Sequence, residues 1–272
     1  MAQESLPPAG LAFLASVQDL YWSLISFATP GAGPPEEPGL GGQLLYAGGL
    51  DDEVRALVVA ANIAGAATLA ATGDITVQKQ AIRDGVIDFA VTTLDEALRI
   101  LKNEVRKHET VAVCAWSRPD AVEVEMHDRG VVPDLIWGAY GRRTHTATGF
   151  ARNAGRIEPL PIADGQAAVT WSVTAAGTHW LSRLDAFAAA SLDSSAWAER
   201  RWLRLAPRFL SRAARGIRTL RCAPDAADKF VERVELADLR CELGVAVEIE
   251  VTRRGVSERR RFSPAGPPWR AS

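Results

Sequence analysis

Two glycines between an apolar strand and a helix make residues 46–74, YAGGLDDEVRALVVAANIAGAATLAATGD, the part of the sequence best suited to binding a phosphate. Gly48 and Gly49 would let the backbone approach a pyrophosphate, and the N-terminus of the following helix would supply N–H groups and positive charge. A second strand ends near Thr72 and Asp74, where a carboxylate can bind the ribose hydroxyls of a dinucleotide. The pattern therefore indicates a dinucleotide site.

Acidic residues in the same stretch weaken that interpretation. Leu50, Asp51 and Asp52 follow the glycines, and carboxylates at a helix N-terminus repel a phosphate. Aspartate is also a frequent N-cap residue, so Asp51 is better interpreted as the start of the helix. Asp74 has the same two interpretations, a ribose ligand or the cap of the next helix, and the cap is favoured. The sequence leaves both alternatives open.

Hydroxyl, glycine and arginine residues also follow the other predicted strands. Ligands of open parallel sheets bind at the carboxyl ends of the strands, so these loops are where a small molecule or nucleotide is expected. The same residue types are common in any polar loop. The loop residues with such groups are Gly48, Gly49, Thr72, Gly73, Asp74, Thr92, Thr93, Ser117, Arg118, Tyr140, Arg142 and Arg143. The residues predicted to bind a cofactor are Gly48, Gly49, Leu50, Thr72, Asp74, Thr92 and Ser117.

No set of residues has the spacing of a catalytic centre or a metal site. Cys114, Cys222 and Cys241 are far apart, without a C-x-x-C pair or a nearby histidine, which indicates a reducing cytoplasm and no structural zinc. Cys114 lies inside an apolar strand, where a buried thiol is expected. His179, beside Trp180, is expected to cap a helix or to pack against one. The catalytic residues therefore stay unassigned.

Strands and helices alternate from residue 43 to about residue 141. The predicted strands are QLLYAG, AATLAAT, VIDFAVT, TVAVCAW and PDLIWGAYG, with a helix in each interval. Such apolar runs are typical of strands that are buried on both faces of a parallel sheet. The residues predicted to begin or end helices include Asp51, Thr93, Ser117 ahead of Pro119, Gly65, Gly85 and Gly130. We predict an α/β fold with a mostly parallel sheet of about five strands flanked by helices.

The order of elements changes after residue 150. A strand, two helices, a strand, a helix and a hairpin that turns at Arg254–Gly255 predict an α+β portion. The predicted organisation is an N-terminal helix over residues 1–29, a Pro/Gly linker over 30–42, the parallel-sheet domain over 43–150, the α+β portion over 151–264 and a tail over 265–272. Gln18 and Asp19 interrupt the apolar run near the N-terminus, so neither a signal peptide nor a membrane span is expected.

Charge is distributed unevenly along the chain. Residues 1–150 carry 11 basic and 19 acidic side chains and residues 151–272 carry 20 and 14, although the net charge is −2. Arginines at helical spacing predict a basic face on one long helix, at Arg200, Arg204, Arg208, Arg212 and Arg215. Its expected apolar face contains Trp202, Leu205, Phe209, Ala213 and Ile217. A solvated face is the simplest interpretation. An internal or intersubunit contact with the acidic N-terminal half is the next, and the near-neutral total charge disfavours nucleic acid.

Residues 92–136, TTLDEALRILKNEVRKHETVAVCAWSRPDAVEVEMHDRGVVPDLI, resemble part of the NAD-binding domain of urocanase, the enzyme that adds water to urocanate. The acidic helix from Leu94 to Leu98 and the run from Arg129 to Asp134 carry the resemblance. The interval from Asp74 to Leu94 also fits the family without a gap. The resemblance covers less than half of the chain, and it implies a Rossmann-like fold with NAD as the cofactor.

The sequence departs from the urocanase pattern at the residues that bind NAD and perform catalysis. The family has a loop of the form GLGGMGG where this chain has GGLDD, and a Glu near Thr72. After the last strand the family has a DQTSAHDP-like segment, whereas this chain has WGAYGRRTHTATGF, in which His145 is out of register. We therefore expect a small-molecule or nucleotide ligand, with NAD as a candidate and without urocanate hydration by this chain alone. If the protein is an enzyme, the resemblance points to a lyase.

Two other functions stay open. The protein could be a cytoplasmic interaction protein, a homo-oligomer in which the sheet is only a scaffold. It could also be an enzyme of another class that uses the loops at the carboxyl edge of the sheet, because a fold does not determine a function. We expect no metal, no membrane partner and no nucleic acid.

Overall fold

The computed structural model describes residues 8–28, 38–138, 153–210, 214 and 216–263. The chain divides into two compact units. One contains Ala15–Leu160, and the other contains Pro161–Ser272 together with Met1–Leu14. The boundary between the units therefore falls inside the first helix, α1 (Pro8–Ile25).

A six-stranded parallel sheet is the centre of the unit Ala15–Leu160. Its elements are β1 (Leu44–Gly49), α2 (Asp52–Ala64), β2 (Ala67–Ala71), α3 (Ile75–Arg83), β3 (Phe89–Val91), α4 (Leu94–Lys107), β4 (Val111–Ala115), α5 (Pro119–Asp128), β5 (Leu135–Trp137) and β6 (Gly155–Ile157). The strand order is β3-β4-β2-β1-β5-β6, and each neighbouring pair is parallel. The predicted α/β class is confirmed. The sequence did not predict β6, because its three residues include Gly155 and Arg156 and form no apolar run.

Side-chain caps explain where the helices of this unit begin. Asp51 accepts a hydrogen bond from the backbone N–H of Val54 at the start of α2, and Thr93 accepts one from Glu96 at the start of α4. Gly65, with a φ of 100°, ends α2 in the left-handed region that glycine adopts without strain. The predicted cap Ser117 is wrong, because Arg118 occupies the N-cap of α5. Arg118 precedes Pro119, and the proline ring pushes the preceding residue out of the helical region.

Burial explains the pattern of the strands. Every residue of β2 and β4 is buried, as expected for central strands covered by helices on both faces. On one face, Leu98 of α4 and Met126 of α5 pack in a cluster with Tyr46, Leu69 and Val113 of the sheet. Helices α4 and α5 therefore cover the same face.

Helix α1 is the N-terminal helix that the apolar spacing predicted. Within the unit Ala15–Leu160 its buried residues are Val17, Gln18, Leu20, Tyr21, Ser23, Leu24 and Ile25. No helix in the described ranges is long and apolar enough to cross a membrane.

An antiparallel four-stranded sheet forms the unit that contains Pro161–Ser272. Its elements are β7 (Ala167–Val173), a 3-10 helix (Ala175–Trp180), α6 (Leu181–Ser191), α7 (Trp197–Phe209), β8 (Ile217–Cys222), α8 (Pro224–Leu239), β9 (Val247–Arg253) and β10 (Val256–Phe262). The strand order is β10-β9-β7-β8, and the hairpin turns at Arg254–Gly255 as predicted. Trp171 is fully buried at the centre, with its ring 5.0 Å from that of Phe230 on α8.

Helix α7 differs from the predicted arginine-faced helix. It ends at Phe209, and Ile217 belongs to β8. Arg200 donates hydrogen bonds of 2.7–3.1 Å to three carbonyl oxygens at the end of α6, so it caps that helix instead of facing solvent. Arg201 is buried with 5% of its surface exposed, which the periodicity did not predict. Arg212, Ala213 and Arg215 lie outside the described residues.

Candidate functional site

The loops that follow β2 and β4 leave the sheet in opposite directions. Helices α2 and α3 carry the chain toward the β3 end of the sheet, whereas α4 and α5 carry it back. Because such crossovers are right-handed, the two pairs of helices lie on opposite faces. β2 and β4 are neighbours, so a crevice is expected between residues 72–74 and residues 116–118. This topological switch point is the candidate site.

Trp116 is the most prominent side chain at the switch point. The residue is 49% exposed, and its indole Nε1 donates a hydrogen bond of 3.3 Å to the carbonyl oxygen of Gly73 in the opposite loop. Its backbone N–H donates to the carbonyl oxygen of Val91, at 2.8 Å, which fixes the start of the loop. The sequence does not single out Trp116 as a site residue, because it ends the apolar run TVAVCAW and is predicted to belong to the strand.

Arg118 is the cation of this loop. Its guanidinium donates two hydrogen bonds, of 3.1 and 2.6 Å, to the carboxylate of Asp120. The pair holds the pKa of Asp120 below its usual value. Both side chains are largely exposed, so their attraction is weakened by water. Arg118 can therefore turn to an anion beside this loop at little cost.

Asp74 acts as a helix cap in this structure. Its Oδ1 accepts hydrogen bonds from the backbone N–H groups of Thr76, at 2.7 Å, and Val77, at 3.4 Å. The hydroxyl of Thr72 accepts a bond of 3.2 Å from the backbone N–H of Asp74. The carboxylate thus satisfies the first turn of α3, which matches the favoured interpretation of this residue.

The glycine turn at β1 is closed by its own residues. Gly48 is buried at an irregularity in the β1–β2 register, with a φ of 79° that favours glycine. Leu50 is only 5% exposed. Asp51 caps α2, and Asp52 and Glu53 add negative charge to its first turn. A pyrophosphate at this turn would meet carboxylates instead of free N–H groups.

The predicted site residues lie along one edge of the sheet. Thr92 follows β3, Ser117 follows β4, Thr72 and Asp74 follow β2, and Leu50 follows β1. Gly48 and Gly49 are the last two residues of β1 and pair with Ala70 and Ala71 of β2. Thr92 is furthest from the β1 turn, and its backbone N–H donates to Glu96 at 3.4 Å. The role of the predicted site residues in ligand binding stays a prediction. Tyr140, Arg142, Arg143 and His145 lie outside the described residues.

A buried carboxylate supports the loop that carries Trp116. Glu123 of α5 is completely buried, and its Oε1 lies 3.3 Å from the hydroxyl of Tyr46 on β1. The same hydroxyl lies 3.1 Å from the carbonyl oxygen of Pro119, the first residue of α5. Tyr46 therefore ties the start of α5 to the sheet.

We expect Tyr46→Phe to lower the free energy of unfolding by about 2 kcal/mol, because it removes the hydroxyl that lies within hydrogen-bonding distance of the buried Glu123 carboxylate and the Pro119 carbonyl. Urea denaturation measures the change. The double variant Tyr46→Phe/Glu123→Gln should be less destabilised than the sum of the single variants. Strict additivity would show that the two side chains do not interact.

The surroundings of the cysteine and histidine side chains considered below do not indicate a catalytic role. Burial raises the pKa of the Cys114 thiol to about 11, so this cysteine is a buried residue of β4 as expected. Nδ1 of His108 lies 3.1 Å from the carbonyl oxygen of Gly41, and the histidine ends α4 in the left-handed region. His179 is exposed at the end of the 3-10 helix. Within the described residues, no group of His, Cys, Asp and Glu could hold a metal ion.

No protein-family model matches this chain. The fold and the switch point are therefore the observations from which a function can be inferred.

Proposed function

We propose that the protein binds a small ligand with a flat ring between β2 and β4, at the carboxyl edge of the parallel sheet. The observation that carries this proposal is the half-exposed indole of Trp116 at the switch point. Stacking of a base on an aromatic side chain contributes about 1–3 kcal/mol. Thr72 and Ser117 supply hydroxyls in the two loops, and Arg118 supplies a positive charge.

A nucleoside or a nucleoside monophosphate suits these loops better than a dinucleotide does. NAD would need its pyrophosphate at the turn after β1, where Asp51, Asp52 and Glu53 repel it. A single phosphate needs only one cation, and Arg118 can provide it. NAD is the weaker candidate, and we do not propose urocanate hydration, because the segment after β5 has no acid–base residue in the family's register.

Thermal-shift titrations with adenosine, AMP, NAD, ADP-ribose and urocanate test this proposal. A ligand that binds only the folded protein raises the melting temperature. We expect adenosine or AMP to give the largest shift. Trp116→Ala should weaken that binding by about tenfold or more, because it removes the stacking surface.

Phe89→Ala is the matched control for Trp116→Ala. Phe89 is also 49% exposed, but it lies on β3 and not in a loop of the switch point. This variant should bind the ligand as the wild type does. Equal binding by Trp116→Ala and the wild type would overturn the proposal, and so would the absence of a shift with every compound.

We also propose that the protein is a homo-oligomer and that it is located in the cytoplasm. The three cysteines are free, which suits a reducing compartment. Light scattering on the same samples measures the mass of the particle, and a value near twice the chain mass of 29.3 kDa supports a dimer.

A further inference from the structure

Within the described residues, strand β3 leaves one edge of the parallel sheet open. There it ends the strand order and pairs with β4 alone. Its three residues are apolar, and Phe89 and Ala90 are exposed. An edge strand presents unpaired backbone groups, and proteins usually protect such edges with charged side chains. β3 has no charged side chain.

The edge strand β10 of the antiparallel sheet has the protection that β3 lacks. Arg259 pairs with Glu248 and Glu250, and Arg261 pairs with Glu248 across the hairpin. Arg260 pairs with Glu235 on α8. β10 therefore carries charged side chains that form ion pairs, whereas β3 exposes an apolar surface. The difference suggests that a partner covers β3.

An open groove of about 840 Å³ lies beside β3, and Phe89, Ile100 and Val105 contribute apolar surface to it. Arg99, Lys102 and Arg106 of α4 also line the groove and are exposed. Their spacing of three and four residues places them on one side of the helix. Within the described residues, none of the three has an ion pair.

An open edge strand could pair with a second copy of this chain or with another protein. The positive charge of the groove distinguishes between these two partners. A second copy related by a twofold axis would set this surface against itself, so the three cations would face one another or lie close together. Glu104 is the acidic residue of the groove, and Lys107 already pairs with it at 3.0 Å. An acidic partner would instead neutralise Arg99, Lys102 and Arg106.

We propose that the open edge of β3 and the cationic groove along α4 bind an acidic, extended segment of another protein. The segment adds a strand to the sheet, which satisfies the free backbone groups of β3. Side chains of a strand alternate between its two sides, so a segment with alternating carboxylates and apolar residues can present its carboxylates to the α4 side of the sheet, where the groove and its arginines lie. This surface is distinct from the switch point, and its occupation does not depend on the small ligand.

Fluorescence anisotropy with labelled synthetic peptides tests the proposal on the full chain. The probes are a peptide of alternating Glu and Val, the same peptide with Lys in place of Glu, and the Glu peptide with prolines that prevent strand addition. We expect the Glu–Val peptide to bind and to lose affinity at high salt. The lysine peptide should not bind, and the proline peptide should bind about tenfold more weakly or worse. Equal binding of the proline and Glu–Val peptides would overturn strand addition.

Variants of the groove residues test whether the Glu–Val peptide binds at this site or is attracted to basic residues anywhere on the protein. Arg99→Glu/Arg106→Glu should weaken binding of the Glu–Val peptide by about tenfold, since two surface attractions become repulsions. Arg156→Glu/Arg240→Glu makes the same charge change at two other exposed arginines and should bind as the wild type does. Circular dichroism checks that each variant folds. Equal affinities of the two double variants would contradict the proposal.

Phe89→Ser provides a second and uncharged test. It should also weaken the Glu–Val peptide, because it removes the exposed ring beside the groove. Light scattering is measured in parallel. Self-association that Phe89→Ser abolishes, without any binding of the acidic peptide, would overturn the proposal in favour of a second copy at this edge.

Discussion

Trp171→Ala is expected to lower the free energy of unfolding of the antiparallel-sheet unit by about 4 kcal/mol. Trp171 is completely buried in β7 and contacts the ring of Phe230 at a centroid distance of 5.0 Å. Its Nε1 also donates a hydrogen bond of 3.2 Å to Oδ1 of Asp185 on α6. The substitution therefore removes an aromatic core residue and leaves a carboxylate without one of its donors.

Urea denaturation followed by hydrogen exchange measures this loss and locates it. Peptides from residues 161–263 should exchange faster in Trp171→Ala. Trp171→Phe separates the two contributions, because it keeps an aromatic ring against Phe230 and removes only the hydrogen bond to Asp185. Trp116→Ala is the control for removing an indole, since Trp116 is half exposed and its loss should change stability little. A loss below about 1 kcal/mol for Trp171→Ala would show that the core closes over the cavity.

Asp185→Asn is expected to make the protein less sensitive to pH between about 4 and 6. Burial raises the pKa of Asp185 from 3.8 to about 6, although Arg218 and Trp171 stabilise the charged form. The folded protein therefore binds a proton more tightly than the unfolded chain does. Stability from the protonated group is present below pH 4 and is lost as the pH rises through 6. Asparagine does not titrate, so it avoids this loss.

The measurement is the free energy of unfolding of both proteins at several pH values. Relative to the wild type, Asp185→Asn should gain up to about 3 kcal/mol between pH 4 and pH 7. The compared quantity is the change in this free energy with pH. The pH-independent cost of removing the carboxylate that pairs with Arg218 therefore does not affect the comparison. Asp193→Asn is the matched control, since it makes the same substitution at an aspartate of the same unit whose side chain is 78% exposed. A wild type and an Asp185→Asn variant with parallel pH profiles would contradict the raised pKa.

Local sequence signals were sufficient to predict most of the elements. Apolar runs located β1, β2 and β4, and Asp51 and Thr93 begin helices as their chemistry predicts. Ser117 failed as a cap because the effect of Pro119 on the residue before it outweighed the serine hydroxyl. The predicted arginine face extends to Arg215, because the helical spacing of the arginines continues past Phe209, where the helix ends.

The geometry of the candidate site depends on tertiary structure that the local signals do not contain. The sequence could place Thr72 and Ser117 after strands, but the insertion of β4 between β3 and β2 is what makes their loops neighbours. Trp116 belongs to an apolar run, and only its position one residue beyond the strand leaves its indole half exposed. The burial of Arg201 and Glu123 likewise depends on packing.

The position of β4 between β2 and β3 also has a consequence for synthesis on the ribosome. β1 and β2 are neighbours, so they can pair as soon as both have been made. β3 has no neighbour in the sheet until residues 111–115 of β4 have been made. During that interval Phe89 belongs to a strand without a partner, a state that favours aggregation in nascent chains. Rapid translation through α4 would shorten this interval, and a pause within α4 would prolong it.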